Sequence, residues 1–292
     1  MSSRVAVSLL IHGHPNYYLS GINCIRSIIH YSDFDIYVML GRSKKYKLPA
    51  DGRIKIFYLE DLSEKQHRSK RFLYKFIALK QCIESGSYDI VIQIDADALL
   101  ASPISAENLI ESLDKFQMGM VEQKTITGSN MSRIDFYNHY LKHSLPLIDP
   151  NQVPPALDRF RYYNSGVVIG KTAEMYRLLS WAMKRIDELE ALGIPSQIGE
   201  HMIADQDYFQ FWTNNINPDC CIELPWYWNH CDLWDDDFPN PEARIVHFSN
   251  FCLGPDKRSL KKINAFARKI LPAVGFKTSS SLLKKIWWNK DE

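Results

Sequence analysis

The chain begins with a continuous apolar run, "VAVSLLI" at residues 5–11, and then "YLSGINCIRSIIHYS", where Ile22, Ile25, Ile28 and Ile29 fall on one stripe. The run reads as a buried strand and the stripe as a helix. "FDIYVML" places Phe34, Ile36, Val38 and Leu40 on one face of a second strand, and "RIKIFYL" is a third. A helix is expected from about Glu64, with Phe72, Phe76 and Ile83 at helical spacing and Gly86 past its end. "YDIVIQIDADALL" then climbs to Ile94 as another strand and ends in two carboxylates, Asp95 and Asp97. Strand, helix, strand, strand, helix, strand predicts an α/β chain with a mostly parallel sheet and helices on both faces.

Beyond Asp97 the pattern loosens. "FQMGMVE" and "YYNSGVVIG" are strand-like, and residues 123–161 read as irregular, with prolines at 146, 150, 154 and 155. An amphipathic helix is expected from about Ala173 to Leu192, ended by Gly193 and Pro195. "ADQDYFQFWTNN" reads as helical and "RIVHF" as a short strand. No internal repeat or low-complexity linker interrupts the chain, so one domain over 1–257 and a C-terminal extension over 258–292 are expected.

The 292 residues are 46% hydrophobic and 24% charged, an ordinary globular composition. A net charge of +1 argues against a nucleic-acid binder, but the charge is uneven. Residues 258–292 hold nine Lys/Arg against two Asp/Glu, a local +7, which leaves −6 for the rest. Within "RSLKKINAFARKILPAVGF", Leu260, Ile263, Phe266, Ile270, Leu271 and Val274 share a stripe, with Lys261, Lys262, Arg268 and Lys269 largely off it. "LLKKIWWNK" is a further basic-aromatic piece. A basic amphipathic extension of this kind predicts either contact with an anionic membrane surface or a terminal helix packed on the domain. No apolar run approaches the ~20 residues of a membrane-spanning helix. The N-terminus lacks a signal-peptide pattern, and the six cysteines form no C-x-x-C pair and read as free thiols. These features predict a cytoplasmic protein, peripheral on the inner face of the membrane.

Asp95 and Asp97 carry the chemistry. Side chains at i and i+2 of a strand point the same way, so both carboxylates can converge on one spot beyond the strand's carboxyl end. Two anions that close need a cation, a shared proton or water between them. Hard oxygen ligands at such a place suit Mg²⁺ or Mn²⁺ held jointly with substrate phosphates.

Further segments, in order, add to this pair. "NYYLSGINCIRSI" carries Tyr18, Gly21 and Ser27; "YKFIALKQCI" carries Lys75; "YYNSGVVIG" carries Asn164, Ser165 and Gly166; "ADQDYFQFW" carries Asp205 and Gln206; and "IVHFSNFCLGPDK" carries His247, Gly254 and Lys257. Together with the D-x-D, these segments resemble the glycogenin-like glycosyltransferases (glycosyltransferase family eight), which include bacterial lipopolysaccharide galactosyl- and glucosyltransferases. The resemblance covers about residues 5–257. It departs from the family at the end, where four extra residues separate His247 from Gly254 and no Pro-Trp follows Lys257.

The resemblance implies a GT-A fold built on a Rossmann-like sheet. It implies a metal site of Asp95, Asp97 and His247 holding Mn²⁺ or Mg²⁺, and a UDP-sugar donor. Tyr18, or Tyr17 beside it, would lie against the base; Lys75 and Asp95 would contact the donor; Asn164 and Ser165 would line the sugar; and Gly254 and Lys257 would clamp the diphosphate. Asp205 and Gln206 would stand at the reacting centre. The implied activity is a metal-dependent, retaining transfer of a hexose to a hydroxyl of a glycan or lipid-linked glycan acceptor. Two other readings remain: a nucleotide-sugar-binding scaffold without catalysis, and a haloacid dehalogenase-type phosphohydrolase. The latter usually carries its D-x-D at the first strand followed by Thr or Val, whereas here Ala98 follows and the motif lies nearly a hundred residues in. Trp226, Tyr227, Trp228 and Trp234 in "LPWYWNHCDLW" offer either anchors for the core and their loop, the commoner role, or an aromatic platform for an acceptor sugar.

Overall fold

The first apolar run forms strand β1 (Val5–Ile11) in the computed structural model, which describes residues 3–41, 48–59, 73–126, 129–194, 197–198, 201–233, 235, 237–249 and 257–271. Helix α1 (Pro15–Tyr31) follows, entered through His14, whose side chain accepts the Asn16 N–H, with Pro15 at the first position where its missing N–H costs nothing. Strands β2 (Asp35–Leu40), β3 (Ile54–Tyr58) and β4 (Ile90–Ile94) come next, with helix α2 (Tyr74–Glu84) before β4. The start expected near Glu64 lies outside the described residues.

Further on come β5 (Ala98–Leu100), α3 (Ala106–Leu113), β6 (Met118–Met120) and α4 (Arg133–His139). After these are β7 (Val167–Lys171), α5 (Thr172–Ala191), α6 (Asp205–Phe211) and β8 (Cys221–Glu223). The chain closes with β9 (His230–Cys231), β10 (Ile245–His247) and α7 (Lys257–Ile270).

The central sheet runs β8-β6-β7-β4-β1-β2-β3. It is largely parallel, as the alternating pattern predicts; only β7 runs against its neighbours β4 and β6. Alternation along β1 sorts its side chains between two cores. Val5, Val7, Leu9 and Ile11 join Ile25 and Ile28 of α1 on one face, while Ala6 joins Phe76, Leu79 and Ile83 of α2 on the other. Gly21 lets α1 lie against β1, since a Cβ there would stand 2.4 Å from Ile11 Cδ1.

Residues 123–161 are more regular than the prolines suggest. Ser132 and Asp135 form a reciprocal capping box that starts α4, and the helix continues through Tyr140–Ser144 into a final turn at Leu145–Ile148. Pro146 sits where the wider turns of Tyr140–Ser144 give way to the last piece.

Two features position the site. The antiparallel β7 starts where β4 ends, with Ile94 opposite Val167, so the segment just before β7 meets the carboxyl end of β4. A smaller sheet of β9, β10 and β5 pairs His247 with Ala98. Ser27 of α1 braces β5 by accepting the Leu100 N–H at 3.0 Å.

Helix α7 docks its apolar stripe on the body: Leu260, Ile263, Ala267 and Leu271 are buried among Leu19, Leu99, Val246 and Phe248. Asn23 donates to Asn264 at 2.6 Å, and the Tyr31 hydroxyl donates to the Ile270 carbonyl at 2.6 Å. Residues 272–292, including Val274 and "LLKKIWWNK", lie outside the described residues. Among the described residues no helix is long and apolar enough to cross a membrane.

Candidate functional site

Strand β4 ends at Ile94, and the D-x-D occupies a turn rather than a continuation of the strand. The turn is pinned by backbone bonds: Asp95 N–H to the Gly166 carbonyl at 2.8 Å, Ala98 N–H to the Asp95 carbonyl at 3.0 Å, and Phe248 N–H to the Asp97 carbonyl at 3.0 Å. Asp95 and Asp97 therefore converge through turn geometry, and the β5–β10 register brings His247 to both. His247 Nε2 lies 3.4 Å from Asp97 Oδ1 and 3.9 Å from Asp95 Oδ2.

The three residues form the one cluster of potential metal ligands among the described residues, with their donor atoms all within 4.8 Å of one another. Asp97 and His247 are each 2% exposed. His247 Nε2 is buried without a hydrogen-bond partner and faces the two carboxylates. Two oxygens and an imidazole nitrogen at this spacing fit a divalent cation.

The electrostatics agree with that fit. Burial first, and then the negative charge of Asp97, push the Asp95 carboxyl up to about 6 despite Lys75. Burial pulls His247 down, but the contact with Asp97 and the charges of Asp97 and Asp95 outweigh it and raise its pKa. Both shifts describe negative charge that the protein alone does not fully compensate.

Lys75, in the first turn of α2, bridges Asp95 Oδ1 at 2.6 Å and Asp205 Oδ2 at 3.0 Å. Burial works against its ammonium, yet Asp205 and Asp95 hold its pKa above the usual lysine value. Asp205 is the first residue of α6, whose cap is Ala204, so its side chain is not a helix cap. Its Oδ2 also takes the Ser165 hydroxyl at 2.9 Å. Gln206 Nε2 donates to Gln123 Oε1 at 2.9 Å, and Asn164 Nδ2 donates to the same oxygen at 3.2 Å. Lys75, Asn164, Ser165, Asp205 and Gln206 thus stand in one bonded group beside the D-x-D.

Gly166 has a role that its sequence motif does not disclose. A Cβ at this position would lie 2.1 Å from His247 Cε1 and 2.8 Å from Asn164 Oδ1, so the space beside the glycine is filled by the histidine ring.

Several expectations fall elsewhere. Tyr18 is 2% exposed within the apolar core of β1 and α1, so its ring has no open face for a base; Tyr17 packs half-buried beside α7. Trp228 is wholly buried, Trp226 packs edge-on against His230, and Arg244 covers Tyr227. This aromatic stretch anchors its loop, and Trp234 lies outside the described residues. So does Gly254; of Lys257 only the backbone is described, as the first residue of α7. Cys24, Cys82, Cys220, Cys221 and Cys231 are buried free thiols.

Two residues that sequence reasoning missed complete the group, Gln123 and Asn229. Asn229 is fully buried and touches both His247 and Asn164. It lies in the stretch singled out for its aromatics, which masked the amide between them.

No protein-family model matches the chain. No curated protein matches it in sequence. Among solved structures it is similar to the apo form of the bifunctional glycosyltransferase WbbM, at a TM-score of 0.49 and 16% identity over 85% of this chain and 46% of that one. The chain thus spans less than half the length of WbbM. It is also similar to the apo form of mouse xyloside xylosyltransferase 1, at a TM-score of 0.47 and 13% identity over 85% of this chain and 97% of that one.

Proposed function

We propose that this protein is a metal-dependent glycosyltransferase of the glycogenin-like, GT-A kind. In this reading it moves a hexose from a UDP-sugar to a hydroxyl of a glycan or glycolipid, with retention at the anomeric carbon. The observation that carries the reading is the convergence of Asp95, Asp97 and the bare Nε2 of His247 beyond the carboxyl end of β4. Directly beside them stand the residues the motifs single out for donor-sugar recognition. A phosphohydrolase of the haloacid dehalogenase type is disfavoured, because the pair follows a strand late in the chain and shares its site with a histidine.

Asp95, Asp97 and His247 would hold Mn²⁺, which when bound supplies Lewis-acid stabilisation of a departing diphosphate. The chain's own residues do the rest. Lys75 places a permanent positive charge between the metal carboxylates and the sugar side, where developing phosphate charge is stabilised. Asp205, held on Oδ2 by Lys75 and Ser165, presents a fixed carboxylate to the electron-poor anomeric centre. Asn164 and Gln206, locked together through Gln123, would each turn one remaining amide N–H to a sugar hydroxyl.

Slow hydrolysis of the donor is the direct readout when the acceptor is unknown. Purified protein with Mn²⁺ and a panel of UDP-hexoses should release UDP and free sugar from one of them, and chelation should stop it. Asp205→Asn should cost at least tenfold, about 1.4 kcal/mol of transition-state stabilisation. Undiminished hydrolysis by that variant would remove Asp205 from the reacting centre.

The membrane part of the proposal now rests on charge. With the apolar stripe of α7 docked, its exposed Lys261, Lys262, Arg268 and Lys269 remain to meet an anionic surface on the cytoplasmic side.

A further inference from the structure

The orientation of every amide around His247 is fixed by backbone groups that cannot rotate. The Gly166 N–H donates to Asn164 Oδ1 at 2.9 Å, so that atom is an oxygen. Its second partner, Asn229 at 2.8 Å, must then present its NH₂, which turns Asn229 Oδ1 toward His247 Nδ1 at 3.0 Å. The other end is fixed in the same way. Gln123 Nε2 donates to the Thr125 carbonyl at 2.7 Å, which leaves its oxygen to accept from both Asn164 and Gln206. An oxygen facing Nδ1 requires that nitrogen to carry the proton. The lone pair of the neutral ring is therefore on Nε2, the atom that faces Asp97 and Asp95 and has no hydrogen-bond partner.

We infer that Asn229 is a positioning residue that sets the tautomer of His247 for metal binding and, through Asn164, ties the metal ligand to the sugar-side amides. The inference rests on the metal-site reading above and deepens it. A single buried amide serves both halves of the site: its oxygen selects which ring nitrogen meets the cation, and its NH₂ holds the asparagine offered to the sugar. An outer hydrogen bond that orients a metal-binding histidine is worth about 10–100-fold in metal affinity.

Calorimetric titration of Mn²⁺ into the protein, with UDP present throughout, tests this without any turnover. Asn229→Leu keeps the side-chain volume and removes the acceptor, and should weaken Mn²⁺ binding by about 10–100-fold. Asn229→Asp keeps an oxygen against Nδ1 but sets its second oxygen against Asn164 Oδ1 in place of the NH₂, so it should recover most of the affinity that Asn229→Leu loses, a rescue that a purely structural role would not give. Equal Mn²⁺ affinity in Asn229→Leu and wild type, or equal loss in both variants, overturns the inference and leaves the metal site standing. Absence of Mn²⁺ binding by wild type overturns the metal site itself, and this inference with it. Should neither variant fold, wild-type protein labelled with ¹⁵N-histidine and loaded with ¹¹³Cd²⁺ reads the same point. The cadmium should couple to Nε2 of His247 while Nδ1 carries its proton, and the opposite pattern overturns the assignment.

Discussion

His247 reaches Asp97 because the residue across from it has no side chain. Gly166 is therefore the most sensitive test of the site that leaves every proposed ligand in place. Gly166→Ala drives a methyl into the imidazole and the Asn164 amide, an overpacking that costs about 1–3 kcal/mol. Thermal unfolding should shift down accordingly, and Mn²⁺ affinity should fall by at least about tenfold, a loss of 1.4 kcal/mol. Unchanged affinity would mean that the ring is free to sit elsewhere.

Protons compete for the same atoms. Burial and Asp97 raise Asp95 to about 6, and His247 is raised above its ordinary value, so as pH falls His247 takes up a proton before Asp95 does. Metal binding must displace these protons, so Mn²⁺ affinity should already fall on the alkaline side of the ordinary histidine value and fall more steeply below about pH 6, roughly tenfold per unit for each proton displaced. Calorimetry with Mn²⁺ alone at pH 5.0 to 7.5 checks this, and a flat profile would mean that Asp95 stays ionised throughout.

At this scale much was legible in the sequence. The D-x-D stands out as a polar pair at the end of an apolar run, Lys75, N-S-G and D-Q enter through the resemblance, and the structure brings them together. Tyr18 entered through the resemblance, and the neighbouring Ile25 and Ile28 draw its helix face into the core. Asn229 and Gln123 were illegible because their roles come from partners tens of residues away.

Two elements decide how the site is assembled. The pairing of β5 with β10 joins segments nearly 150 residues apart, and neither three-residue strand has a periodicity that announces it. That pairing, braced by Ser27 of α1, is what delivers His247 to the D-x-D turn. The antiparallel β7 was predicted as a strand but not in its direction, since side-chain alternation is the same either way.

Helix α7 shows the same limit in another form. Its stripe was visible in the sequence, but a stripe that fits a membrane also fits a protein core. The structure docks it on α1 and β10, so only its basic face is available to lipid. Charge reversal of Lys261, Lys262, Arg268 and Lys269 leaves the docked face intact. It should abolish co-sedimentation with anionic vesicles, and raising salt from 0.1 to 0.5 M should do the same to wild type by screening. Binding indifferent to both would contradict an electrostatic contact through this helix.

Across the whole molecule, the features of the site collect at one edge. The carboxyl end of β4, the start of β7, the first turn of α2 and the first turn of α6 all present polar residues there, between two apolar cores that keep the sheet rigid. That is where an open α/β sheet binds its ligand. Lys75 is buried between the carboxylates of Asp95 and Asp205, and removing one member of such a group would leave a charge uncompensated at a cost of about 3–5 kcal/mol.

The most direct test of the account is calorimetric titration of UDP into the purified protein, with and without Mn²⁺, beside Asp97→Ala. The account predicts binding that requires Mn²⁺ and disappears in the variant. UDP binding of equal strength with and without metal, or retained by Asp97→Ala, would contradict it.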